Sequence, residues 1–203
     1  MAFIDTIAPS AASGELREMY QRQQAAWGFV PNYAKVFCHR PEVLARWARL
    51  LAELRRPMDD RRFELATFVA AFERRNTACA LEHGAQLARF VGDSAVLGLA
   101  RGESPAPLSE AEAAIADYAR KVAQDASSVT AQDIAGLKRH GLDDSEIFDI
   151  AAAVAGRAFF TTLLDALGVQ ADSAARDRDA RFGRALSVGR PLSGEPAETV
   201  DPA

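Results

Sequence analysis

Asp143-Asp144-Ser145-Glu146-Ile147-Phe148-Asp149-Ile150-Ala151-Ala152-Ala153-Val154-Ala155-Gly156-Arg157-Ala158-Phe159-Phe160-Thr161-Thr162-Leu163-Leu164-Asp165-Ala166-Leu167-Gly168 reads as one long helix with a marked start and stop. Asp143 or Asp144 supplies an N-cap carboxylate, and Gly168 ends the run. Between them Ile147, Ile150, Val154, Phe159, Phe160, Leu163 and Leu167 place apolar side chains on more than one side. Such a helix is buried in a core or in a subunit interface.

Outward from this segment the same periodicity repeats, and no alternating run of β-branched residues is long enough for a sheet. The chain is therefore expected to be all-α. Thr130 opens a helix to about His140, and Ser109 with Glu112 forms a capping box for another to about Ala126. The run Arg101-Gly102-Glu103-Ser104-Pro105-Ala106-Pro107 is a surface loop that divides the chain into two helical halves, expected to share one core. Upstream, a helix over about residues 14 to 26 is broken by Gly28-Phe29-Val30-Pro31-Asn32, and Asn32 can cap the short helix after it. Pro41 starts a helix with Leu44, Trp47, Leu50, Leu51 and Leu54 at helical spacing, closed by Pro57. Asp59 or Asp60 caps the next, to about Phe72, with Phe63, Ala66, Val69 and Ala70 on its buried face.

The 203 residues suit one domain, expected over 1–170, and 49% hydrophobic with 26% charged residues is an ordinary globular composition. Beyond residue 170, Arg/Asp alternation gives way to a stretch punctuated by Gly189, Pro191, Gly194, Pro196 and Pro202, so 171–203 is expected to be a disordered tail or an interface arm. A net charge of -4 with scattered arginines argues against a nucleic-acid partner. No basic-then-apolar leader opens the chain and no stretch of roughly 18 uninterrupted apolar residues occurs, so no membrane association and a cytoplasmic location are expected. Two cysteines, Cys38 and Cys79, exclude a disulfide scaffold but leave one redox pair arithmetically open.

Chemistry concentrates in Asn76-Thr77-Ala78-Cys79-Ala80-Leu81-Glu82-His83. Four residues on a helix put a thiol and an imidazole on one face, and Asn76 or Thr77 caps that helix so that Cys79 falls in its first turn. A helix N-terminus and a nearby imidazolium both favour the reactive thiolate. Glu64, on the preceding helix, can be returned beside Cys79 by the turn at 73–77, giving an acid-base relay, a nucleophile and an imidazole. The alternative is a buried inert cysteine, a hydrogen-bonded core histidine and a solvated first-turn acid. Zinc ligation by Cys79, His83 and one carboxylate is disfavoured, since only two of these ligands share a helical spacing; no metal and no cofactor are expected.

These residues resemble the AhpD-like, carboxymuconolactone decarboxylase superfamily, in its peroxidase-related branch. In that family a Glu precedes by twelve residues a Cys-x-x-Cys-x-x-x-His motif, and Glu64, Asn76, Cys79 and His83 stand at the corresponding positions. Gly28-Phe29-Val30-Pro31-Asn32, Arg40-Pro41-Glu42, Ser128-Val129-Thr130, Gly141-Leu142-Asp143-Asp144-Ser145-Glu146-Ile147 and Asp165-Ala166-Leu167-Gly168-Val169 are similar to other parts of the branch, so the likeness covers about residues 3 to 170.

The resemblance implies an all-helical fold that assembles as a homo-oligomer (dimer, trimer or hexamer) and reduces organic hydroperoxides, with Cys79 as peroxidatic thiol and Glu64 and His83 handling protons. Asn76 is the departure. It stands in place of the first, resolving Cys, so the local disulfide of the family cannot form. Three consequences follow: a one-Cys peroxidase regenerated by an external thiol reductant, resolution by Cys38, or loss of peroxidase activity to another reaction. The decarboxylase relatives offer a lyase as the alternative function, with Arg74, Arg75 or Arg157 as guesses for a substrate acid, and a non-catalytic helical oligomer is the third class. Trp27, Trp47 and Phe159-Phe160 read as core or interface residues, Arg55-Arg56 and Arg61-Arg62 as solvated charges, and Cys38-His39 as packing plus a capping cation.

Overall fold

A computed structural model describes residues 2–173, 180–194 and 198–200. Among these the chain forms ten α-helices and no strand. They are α1 (Gly14–Trp27), α2 (Asn32–Val36), α3 (Pro41–Arg55), α4 (Asp60–Glu73), α5 (Thr77–Val91), α6 (Asp93–Ala100), α7 (Glu110–Asp125), α8 (Ala131–Arg139), α9 (Asp144–Ala166) and α10 (Ala180–Leu186).

The capping residues set the starts of the later helices. Ser109, Thr130 and Asp143 each accept the N–H of the third helical residue, whose acidic side chain in turn accepts the cap's own N–H, so α7, α8 and α9 all begin with complete capping boxes. Asp59 caps α4 by accepting from Arg62 N. The expected cap at Asn32 is not formed: Asn32 is the first residue of α2, and its N–H donates instead to Asp172, 3.0 Å from Oδ1 and 3.2 Å from Oδ2. Pro31 restricts the residues before it and leaves the cap to a carboxylate 140 positions away.

Helix α4 is the hub, packed against α5, α7 and α9. Its buried residues run continuously from Phe63 to Ala71, including Glu64 and Thr67, rather than forming one face. Buried apolar residues form two clusters instead of a single core. One holds Leu65, Phe68, Leu87, Ile115, Ile150 and Phe182; the other holds Tyr20, Phe37, Trp47, Cys79, Phe160 and Leu164. The division does not follow the 101–107 loop, because α4, α5 and α9 each contribute to both clusters. On α3, Leu44 and Trp47 are buried but Leu50 is 53% exposed, since it falls outside the stripe that meets α9 near Gly156.

Helix α9 is long and apolar enough by composition to cross a membrane, but its inner face, Ile147, Ile150, Ala153, Val154, Phe160 and Leu164, is buried in this fold. Its outer face leaves Phe148 and Phe159 exposed. Of the tail, residues 174–179, 195–197 and 201–203, which hold most of the Arg/Asp alternation and Pro196 and Pro202, lie outside the described residues. The rest lies along its own chain: Phe182, Leu186 and Val200 are buried, α10 packs on α5 and α6, and Val30 N donates to Glu198 O.

Candidate active site

The turn between α4 and α5 fixes the thiol. Asn76 N donates to Ala71 O and Arg75 N to Phe72 O, a Schellman closure that puts Arg75 at φ 56 in the left-handed region usually given to glycine. The tail braces this turn from outside. Gly189 lies so close that a Cβ there would fall 1.8 Å from Arg75 O, and Gly189 N donates to Thr77 Oγ1 at 3.0 Å. Asn76 Oδ1 then accepts Cys79 N–H at 2.9 Å, which caps α5 and sets Cys79 in its first turn as the sequence indicated.

The side-chain partner of the thiol is Arg157. Its Nη1 lies 3.8 Å from Cys79 Sγ, its guanidinium carbon lies 5.8 Å from the Phe160 ring centre, and its Nε, buried, has no hydrogen-bond partner. The residue is 4% exposed, and among the described residues no carboxylate pairs with it. Of the three arginines weighed for a substrate acid, Arg157 is thus the one buried against the thiol. Glu64, 3% exposed, is no solvated first-turn acid: Oε2 is 2.7 Å from His83 Nδ1 and Oε1 is 3.7 Å from Arg55 Nη1.

Hydrogen-bond accounting fixes the imidazole tautomer. Thr67 Oγ1 donates its one hydrogen to Phe63 O at 2.7 Å, so its 3.4 Å contact with His83 Nδ1 is satisfied only by a hydrogen on that nitrogen, which also suits a carboxylate at Glu64. Nε2 is then the basic nitrogen. Burial lowers the His83 pKa below its ordinary value, with the Arg157 charge adding to the effect, and Glu64 opposes both. Burial also pushes the Cys79 thiol up, against the Arg157 charge and hydrogen bond that pull it down. Both shifts run against the thiolate-imidazolium pair that the spacing suggested, because burial is the largest influence on each group.

Cys79, His83, Glu64, Arg55 and Arg157 all line one cavity of about 800 Å³. Its aromatic walls are Trp27, Phe29, Tyr33, Trp47 and Phe160, with Trp47 stacked on Phe160 at 5.6 Å and Tyr33 set edge-on to Phe160 at 5.4 Å. A second cavity of about 240 Å³, near Phe3, Lys35 and Glu198, shares no lining residue with it. Among the described residues no group of three His, Cys, Asp or Glu side chains is placed to hold a metal ion.

No protein-family model and no curated protein matches the sequence. Solved structures do match the fold. An alkylhydroperoxidase AhpD core protein, an uncharacterized peroxidase-related protein from Ralstonia eutropha JMP134, superposes with a TM-score of 0.70 at 20% identity, over 93% of this chain and 98% of that one. An uncharacterized peroxidase-related protein from Silicibacter sp. TM1040 gives 0.73 at 19% identity, over 87% and 95%. The debrominase Bmp8 gives 0.68 at 15% identity, over 85% and 91%, and a cysteine-to-alanine variant of it is solved with 2,3,4-tribromopyrrole.

The chain has the AhpD-like fold. Within it, the structure brings Glu64, Cys79 and His83 to one cavity and places Asn76, 2% exposed, behind the thiol as a helix cap. Cys38 is a free, buried thiol in the same apolar cluster as Cys79. Sequence reasoning named Arg157 only as one of three guesses for a substrate acid and gave it no place beside the thiol. The signal was present: it is the only basic residue in the apolar run 145–167, and a buried charge needs a purpose or a partner. Trp47 is a cavity wall as well as a packing residue, whereas Trp27, 43% exposed, lines the cavity without joining either cluster. Of the arginines expected to be solvated, Arg56 is so, beside an exposed Glu53, while Arg55 pairs with Asp60, Arg61 with Glu112 and Arg62 with Glu146. His39 Nε2 meets Asp5 O at 2.8 Å, so it ties down the N-terminal segment and is no capping cation.

Proposed function

We propose that this protein reduces organic hydroperoxides with Cys79 as its single peroxidatic thiol, without a bound cofactor, and that an external thiol regenerates it. The observation that supports this reading is the placement of the Cys79 thiol beside a buried guanidinium in an aromatic-walled cavity that also holds the Glu64–His83 hydrogen bond. His83 Nε2 accepts the thiol proton, directly or through water, and the Arg157 charge holds the thiolate. The thiolate attacks the outer peroxide oxygen, the O–O bond breaks, and the proton held on His83 passes to the departing alkoxide. The products are Cys79 sulfenic acid and an alcohol. An external thiol then displaces water to give a mixed disulfide, and a second releases the Cys79 thiol as the reductant's own disulfide forms. Asn76 cannot contribute a resolving thiol, and a homo-oligomer is expected to leave the cavity mouth open to the reductant.

The test is intact-mass measurement of the protein after one equivalent of cumene hydroperoxide, beside a Cys79→Ser control. Gain of one oxygen on Cys79, faster than on a free model thiol, is the expected result; oxidation no faster than the model thiol defeats the reading. Peptide mapping after oxidation separates a Cys38–Cys79 disulfide from a mixed disulfide with an added thiol.

A second reading is reductive dehalogenation, favoured by the five aromatic walls and by the likeness to Bmp8. Here the Cys79 thiolate takes halogen from a ring carbon, a proton replaces it, and an external thiol releases halide. Halide release from a brominated heteroaromatic, with no response to hydroperoxide, would select it.

A further inference from the structure

Arg157 is an unusual wall for a cavity so aromatic. A guanidinium that is 4% exposed, with one long contact to sulfur, one orphaned N–H and no paired carboxylate among the described residues, carries a charge that the folded chain leaves uncompensated. Burial pushes the Cys79 thiol up, which disfavours its thiolate as the missing anion. The other cation lining the cavity, Arg55, already pairs with Asp60 and Glu64. Glu64, Glu82 and Asp172 line the remaining polar parts and repel a negative ligand from their own positions. One place is left for an anion, the Arg157 end of the cavity, flanked by Phe160 and next to Cys79 Sγ.

We propose that the cavity takes an aromatic anion, its ring held among Trp27, Tyr33, Trp47 and Phe160 and its negative group on Arg157. This deepens the proposed function by naming a substrate class, and it rests on the Cys79 cavity being the substrate site, whichever bond the thiol then breaks. The aromatic walls supply area and ring-ring contact, which are indifferent to charge. The guanidinium supplies the discrimination, because a neutral ligand of the same shape leaves the charge unmet.

The chain has two tryptophans, Trp27 and Trp47, and both line this cavity, so intrinsic fluorescence reports its occupancy. Benzoate and its neutral isostere benzamide are titrated into the Cys79→Ser protein, where no thiol chemistry can intervene. Saturable benzoate binding at least about tenfold tighter than benzamide binding is expected. Arg157→Met should remove most of that preference while leaving benzamide within about twofold, and Arg157→Lys should keep part of it. Equal affinities, a preference that survives in Arg157→Met, or no saturable benzoate binding overturns the proposal. The comparison of the two ligands needs no Arg157 variant, so it holds even if that variant fails to fold. A thiol unreactive toward hydroperoxide would defeat the hydroperoxide reading and leave this one standing.

Discussion

Helices α7 to α9 and helices α1 to α3 are started in opposite ways. Helices α7, α8 and α9 each begin with a capping box made by residues three apart, whereas α1, α2 and α3 have no side-chain cap of their own. Distant segments hold the N-terminal half instead: Asp172 accepts from Asn32 N, Glu198 pairs with Lys35 at 2.9 Å, Gln24 Nε2 donates to Val200 O, and Tyr20 Oη donates to Ile7 O. Burial divides the molecule along a second line, with α9, which carries Arg157, on the charged side. Helices α6, α7 and α8 bury no charged side chain, while Glu64, Arg157 and Lys35 are buried around the thiol-bearing cluster. One region is optimised as a dry core. The other accepts the cost of desolvated charge, which is where functional sites are found.

The sharpest way to break this contrast is a pair of truncations. Leu87, fully buried in the dry cluster, should lose about 2–5 kcal/mol on Leu87→Ala, because the closed packing around it cannot collapse into the void. Leu51 lines the open cavity, so Leu51→Ala enlarges a space already present and should cost under ~1 kcal/mol. Urea unfolding of both variants measures the difference; equal losses would mean that the two clusters are packed alike.

A second pair compares caps. Ser109→Ala removes an exposed local cap and should cost about 1 kcal/mol. Asn76 is buried, caps α5 at Cys79 N and also hydrogen-bonds the Asp165 side chain on α9, so Asn76→Ala should cost about 2 kcal/mol and slow Cys79 oxidation as well. Unchanged Cys79 kinetics in Asn76→Ala would show that the cap does not position the thiol.

Arg157→Met moves chemistry rather than stability. Replacing an unpaired buried charge by an apolar side chain of similar length should leave the urea midpoint unchanged or raise it. Arg157 is the main influence lowering the Cys79 pKa against burial, so its loss moves the thiol further above the ordinary value of ~8.5. Iodoacetamide alkylation of Cys79, followed against pH, should move to higher pH, and the rate at neutrality should fall in proportion to the smaller thiolate fraction. A profile indifferent to the substitution would separate Arg157 from the thiol.

The same division decides what the sequence could disclose. Ser109-x-x-Glu112, Thr130-x-x-Asp133 and Asp143-x-x-Glu146 specify their helices within four residues, and Asn76 was readable as the α5 cap for the same reason. Helical spacing alone set Cys79 and His83 on one face, but it could not say that Arg157, 78 positions away, would reach the thiol first. Nor could it give the direction in which the two pKa values move, since both depend on how much protein surrounds the groups once α9 and α3 close over them. Asn32 misled because its local capping chemistry was overruled by a carboxylate from the far end of the chain.

Asp133 and Asp172 turn this contrast into a difference of sign. Asp133 belongs to a local box; hydrogen bonds from Lys121 and Thr130 hold its pKa down to about 2, so its stabilising effect is present above its ordinary value of 3.8 and is lost as pH falls through about 2. Asp172 is the distant cap of α2; burial raises its pKa to about 6, against the Asn32 N–H and the Lys35 charge, so the fold favours its protonated form. Its contribution is fully present below 3.8 and is lost as pH rises through about 6. Asp172→Asn keeps an acceptor for Asn32 N–H without the charge. It should therefore match the parent protein in acid and unfold higher by on the order of 2–4 °C above pH ~6.5. Asp133→Asn should do the reverse, losing stability at neutral pH and matching the parent only in strong acid. Thermal unfolding of the three proteins across this range tests both signs, and an Asp172→Asn difference that does not change with pH would remove the buried, long-range cap from the account.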